Sequence, residues 1–202
     1  MKKLVILLAL LLPVISFAQI DVEQIEDING YPAFIITHDD HITDLNKTRS
    51  LVDSEPLVET PSMMLKSKKR AIWAAKNIKS WWSTKDNPMG GHRGYDRSGS
   101  ENTATNSGVY IKLQELFEQK DMASFIKEYS TDQFGGFLDY ILRKGEGYNN
   151  SNGHYVNRID KKWTECGNAY ILFYKPNREI EDSAGNKRNV NGYVIWHYEL
   201  FQ

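Results

Sequence analysis

Ala169-Tyr170-Ile171-Leu172-Phe173-Tyr174 and Tyr193-Val194-Ile195-Trp196-His197-Tyr198-Glu199-Leu200-Phe201 are the two stretches whose reading decides the fold. Both are dominated by aromatic and β-branched residues, which fit the pleated surface of a strand. His154 to Ile159 reads as a third strand, and turn signals stand at Lys175-Pro176-Asn177, Ala184-Gly185-Asn186 and Asn191-Gly192. The C-terminal part therefore predicts an antiparallel β-meander. Upstream the spacing turns helical: Val109, Leu113, Leu116 and Phe117, then Phe125, Ile126 and Tyr129 after a break at Asp121, then Phe137, Leu138, Ile141 and Leu142. Helices in the N-terminal and middle parts followed by a C-terminal antiparallel β-meander give the α+β class, in a single domain.

The clearest helix opens at Thr60-Pro61. Thr can cap it, and Pro suits the first position because the N–H it lacks has no intrahelical acceptor there. At about 100° per residue, Met64, Leu65, Ala71, Ile72, Ala75, Ile78 and Trp82 share a core-facing arc. Lys66, Lys69, Arg70, Trp73 and Lys76 share a second, basic arc. Residues 21–60 are rich in acids, whereas 61–85 hold basic residues and no acid. Self-neutralisation on folding is the simpler reading, with the acidic segment covering Trp73; a basic face kept for an acidic partner is the other. Asn29-Gly30 before Tyr31-Pro32-Ala33-Phe34-Ile35-Ile36-Thr37 reads as a turn into a strand. His38-Asp39-Asp40-His41 then reads as a solvated loop, with a metal site as the sharper alternative.

The first eighteen residues have the form of a secretory signal. Lys2 and Lys3 precede an unbroken apolar run from Leu4 to Leu12, Pro13 breaks it, and Ser16-Phe17-Ala18 offers small residues at a cleavage site. The run is short of the roughly 20 residues a membrane span needs. Cleavage after Ala18 is expected to leave residues 19–202 as one globular domain, periplasmic or secreted, with no membrane span. Losing two lysines takes the formal charge of −1 to −3. That near balance argues against a general affinity for nucleic acid. Cys166 is the one cysteine, so no internal disulfide can form, and its apolar setting predicts a buried, unreactive thiol.

Residues 83–107 lack hydrophobic periodicity and read as a long irregular loop, a feature that in compact domains is either functional or a linker. Asn87 to Arg97 combines glycines with His92, Arg93, Tyr95 and Arg97. With Trp81 nearby, these form the expected ligand-binding set, able to hold a polar ligand against an aromatic face. No nucleotide or paired-cysteine metal motif is present, so no cofactor and no metal are expected.

Gly153-His154-Tyr155 followed by Ala169 to Tyr174 resembles the histidine box of papain-like ubiquitin hydrolases, whose activity would need an upstream nucleophilic cysteine that this chain lacks. Trp196-His197-Tyr198 is similar to the last zinc-ligand motif of the D-alanyl-D-alanine peptidase family, with Val194 in the place of that family's acid. Two functions follow as expectations. One is an exported, non-catalytic binding, inhibitor, immunity-type or envelope-accessory protein, whose partner is an envelope or extracellular protein or glycan. The other is a metal-dependent hydrolase of cell-wall peptide or glycan in which His92, His154 and His197 converge. Neither reading fixes the oligomeric state.

Overall fold

In the computed structural model, residues 20–38, 40–78, 89–94, 99–105, 153–181 and 187–202 are described. The order is β1 (Ile20–Ile28), β2 (Tyr31–His38), α1 (Asp40–Ser50), β3 (Val58–Glu59), α2 (Pro61–Asn77), a 3-10 turn (Gly90–His92), β4 (Ser100–Thr105), α3 (Gly153–Ile159), β5 (Glu165–Glu181) and β6 (Lys187–Phe201). Six strands make one sheet in the order β1-β2-β5-β6-β4, with β3 added to β5. All pairings are antiparallel except β3 with β5. An antiparallel sheet packed by helices is an α+β architecture. Among the described residues, no helix is long and apolar enough to cross a membrane.

The expected strands at 169–174 and 193–201 are the middles of β5 and β6, which carry the sheet because both of their faces are buried. On one face Ala169, Ile171, Phe173, Val194, Trp196 and Tyr198 meet Ala71, Ala74, Ala75 and Ile78 of the α2 segment. Small side chains on α2 let the helix lie close to the strands. Contact is closest at Gly167, where a Cβ would stand 2.4 Å from the Met63 carbonyl. On the other face, α1 contributes Leu45 to a cluster with Leu57, Cys166 and Phe201. Fully buried Arg49, in the last turn of α1, ties this side together. Its Nε donates to the Glu55 carbonyl at 2.5 Å and its Nη1 to the carbonyls of Arg158 and Asp160 at 2.7 and 3.1 Å.

Thr60 caps α2 as the sequence predicts, accepting from Met63 N at 3.2 Å, with Pro61 in the first turn. The buried arc is rotated from expectation. Met63, Ser67, Arg70, Ala71, Ala74 and Ala75 are buried, while Leu65 is 52% exposed. The rotation follows from Arg70, which turns inward to meet a buried carboxylate rather than joining the basic face. Acidic and basic segments neutralise each other in part, through Glu23 with Lys68 and Glu26 with Lys76. It is not the acidic segment that covers Trp73 but Gly94.

Several expectations are corrected. Asn29-Gly30, with φ of 59° and 80°, is the turn into a strand that the sequence predicts, but the first residues of the acidic segment are themselves a strand, β1, which this mirror-image turn closes onto β2. His41 lies in a helix that starts at Asp40, not in a solvated loop, and is buried. His154 to Ile159 is helical, because α3 lies across the edge of β4 rather than in the sheet. Pro176-Asn177 does not end a strand: β5 passes through as a bulge opposite Asn191, whose Oδ1 accepts from Asn177 N at 2.8 Å. The irregular loop at 83–107 contains the strand β4. Expectations for residues 1–18, Trp82, the helices of 109–142 and the turn at 184–186 lie outside the described residues.

Candidate functional site

β4 sends alternate side chains to opposite faces of the sheet, and among the described residues each face holds one buried carboxylate. Glu101 points toward α2. Its Oε2 accepts from Arg70 Nε at 2.5 Å and its Oε1 from Arg70 Nη2 at 3.1 Å, a two-pronged pair. The same Nη2 donates to the Gly91 carbonyl at 3.0 Å, and the Tyr198 hydroxyl donates to that carbonyl at 3.3 Å. Burial pushes the ionisation of Tyr198 up, which keeps it a donor. Arg70 also lies 5.3 Å from the Trp73 ring and 4.9 Å from that of Tyr198, within cation–π range.

This framework pins the turn of residues 89–94. His92 Nδ1 is 3.0 Å from Glu101 Oε1, and its Nε2 is 3.4 Å from Thr103 Oγ1. Gly94, with φ of 75°, rests directly on the Trp73 ring, where a Cβ would collide at 2.1 Å. A glycine is required there for both reasons. The His92 side chain is 38% exposed, Arg93 is exposed and Trp73 is 40% exposed. Of the five expected ligand residues, His92 and Arg93 are therefore adjacent on a fixed turn. Trp81, Tyr95 and Arg97 lie outside the described residues. Arg70, Glu101 and Thr103, absent from the expected set, complete the arrangement. Glu101, a lone acid in a stretch of small polar residues, was the available signal.

On the other face the buried carboxylate is Glu199, directly opposite Asn102 in the β4–β6 register. It accepts from Asn102 Nδ2 at 2.6 Å and from Arg158 Nε and Nη2 at 3.2 and 2.9 Å, and lies 2.7 Å from His41 Nε2. The other nitrogen of His41 lies 3.5 Å from Glu59. Burial disfavours the Glu199 charge, but Arg158, His41 and His197 outweigh it and hold the carboxyl well below its ordinary range. For His41, burial opposes protonation, while hydrogen bonds to Glu199 and Glu59 outweigh burial and Arg158 and raise its pKa. Arg158 and His41 thus flank Glu199 out of solvent, with Glu59 reaching His41 from a partly exposed position.

The three histidines of the hydrolase reading do not meet. His92 and His154 approach around the β4 edge, with ring centroids 6.4 Å apart. Burial, with His92 and Arg158, outweighs the attraction of Glu199 and lowers the pKa of His154. His197 is fully buried on the Glu199 face, stacked on Tyr170 at 4.0 Å, its neighbour across the strands. Among the described residues, no group of three or more His, Cys, Asp or Glu side chains is placed to hold a metal ion. Cys166 is buried, and burial together with Glu199 and Glu59 pushes its thiol up, away from the reactive thiolate. No family model matches this chain, and no curated protein or solved structure matches it.

Proposed function

We propose that this is an exported binding protein whose ligand surface is the turn of residues 89–94 together with Trp73. One observation carries the reading: a glycine-rich turn is held rigidly from beneath, yet presents His92, Arg93 and an aromatic face to solvent. A preformed surface loses little entropy on binding, which is where affinity is most easily forfeited. The Trp73 ring offers a stacking face, and Arg93 a planar donor for carboxylate or phosphate groups. These are the chemistries of an acidic cell-wall glycan or of a protein loop bearing carboxylates. The leading segment, with its paired lysines, apolar run and Ser16-Phe17-Ala18, supports delivery to the periplasm or medium, where such partners reside.

Titrating intrinsic tryptophan fluorescence with cell-wall glycan fragments tests the binding. A saturable change that weakens at least tenfold in Arg93→Ala, and in Gly94→Ala through the displaced Trp73 contact, is expected. An unchanged spectrum sinks the glycan form of the proposal. Sequencing the amino terminus of the chain recovered outside the cytoplasm tests export, with Gln19 the expected first residue.

A further inference from the structure

Thr103, His92 and Glu101 stand in line. Glu101, held by Arg70, lies against Nδ1 of His92 at 3.0 Å, and Nε2 of the same ring lies 3.4 Å from the Thr103 hydroxyl oxygen. A carboxylate can only accept, so the proton of a neutral His92 belongs on Nδ1, and the Nε2 lone pair faces Thr103. That is the relation of hydroxyl, base and orienting acid by which a weak nucleophile is activated for acyl transfer. The geometry points to an esterase-type centre in which Thr103 is the nucleophile, His92 the general base and Glu101 the positioning residue, acting on small carboxylic esters at the edge of β4.

Three further features suit that chemistry. Glu101 is buried and carries a two-pronged guanidinium contact, so its direction is fixed before any substrate arrives. The His92 side chain is 38% exposed while Thr103 is 7% exposed, so an ester would reach the Thr103 hydroxyl from the His92 side. The 3.4 Å contact is long for O–H···N, as is common in sites awaiting substrate, where such bonds tighten on binding. In the reaction, Thr103 Oγ1 bonds to the ester carbonyl carbon as its proton passes to His92 Nε2. The C–O bond to the leaving alcohol then breaks, and the alcohol departs with that proton. Water, deprotonated by the same nitrogen, attacks the acyl-Thr103 ester, releasing the carboxylic acid and restoring the Thr103 hydroxyl. No oxidant or metal takes part. The inference goes beyond ligand binding: it shares His92 with the proposed ligand surface but needs neither Trp73 nor Arg93, so the Arg93→Ala variant that weakens glycan binding should leave ester hydrolysis unchanged.

The test is release of nitrophenolate from p-nitrophenyl acetate by the purified full chain, with mass spectrometry of the Thr103 peptide after acid quench. A rate above that of the heat-unfolded chain, with an acetyl group on Thr103, is expected. Thr103→Val should abolish both. His92→Gln should lower the rate by about 100-fold or more, the usual contribution of a general base. Thr103→Ser should keep the activity, as an intact hydroxyl predicts and a purely structural methyl contact does not. If His92→Gln fails to fold, judged by circular dichroism, the Val and Ser variants decide alone. Equal rates in Thr103→Val and the parent, or no acetyl group at Thr103 in the parent, overturn the inference.

Discussion

Glu101 and Glu199, the two buried carboxylates of the sheet among the described residues, differ in what surrounds them and so in what they can do. Both are paired with an arginine and near a histidine, and they sit on adjacent strands with their side chains on opposite faces. Around Glu199 every partner is itself buried and the charges cancel, so the cluster locks α1, α3 and β4 onto β6. Around Glu101 one partner, His92, reaches solvent from a turn. The difference is one of access: the Glu101 network ends at a group that a ligand can reach, whereas the direct partners of Glu199 are all buried and hold elements together.

Removing the sealed carboxylate should hurt most. Glu199→Ala leaves Arg158 and His41 buried without their anion and is expected to cost about 3–5 kcal/mol. Glu101→Gln keeps a buried hydrogen-bonding side chain beside Arg70, and His92 at its other side reaches solvent, so it should cost about 1–3 kcal/mol. Urea unfolding of the two variants side by side measures the difference; equal losses would erase the distinction between the faces.

The pH dependence separates the two clusters next. Glu199 has a lowered folded-state pKa, so its contribution is present above the ordinary carboxyl value of 4.5 and is lost as pH falls through the folded value. His41 has a raised one, so its contribution is complete below the ordinary 6.5 and is lost as pH rises through the folded value. The joint contribution of Glu199 and His41 should therefore be greatest between about pH 4.5 and 6.5, while His154, whose pKa is lowered, opposes it below 6.5. The groups that set this around His41 are Glu199, Glu59 and Arg158. Thermal unfolding midpoints from pH 4 to 9 should show an alkaline decline that His41→Gln flattens. The smallest effect is expected on the outer face: Lys68→Met, which removes the solvent-exposed pair with Glu23, should change stability by under about 1 kcal/mol in the same urea assay.

What could be read from the sequence follows the same division. β5 and β6 announce themselves because strands buried on both faces need runs of large apolar residues, and α2 because Thr60-Pro61 carries its own start signal. β4 could not be read as a strand: Ser100-Glu101-Asn102-Thr103 is polar, and it pairs because Glu101 and Asn102 meet partners from distant parts of the chain. α3 is illegible for a related reason. Tyr155, Val156 and Ile159 look like strand residues, and only packing against β4, with Arg158 turned to Glu199, favours the helix. Of the site, His92 and Arg93 were legible from the glycine-rich composition around them. Arg70 was hidden within a basic stripe, since nothing local distinguishes an arginine that turns inward from one that does not.

The sheet is also assembled out of step with synthesis. Phe34, Ile35 and Ile36 of the first hairpin must wait for Leu172, Ile171 and Tyr170. β4 likewise waits for the last residues of β6. β2 gains its neighbour only once β5 has been made, and β4 only once β6 has, so these long-range pairings hold the chain back from its cooperative fold.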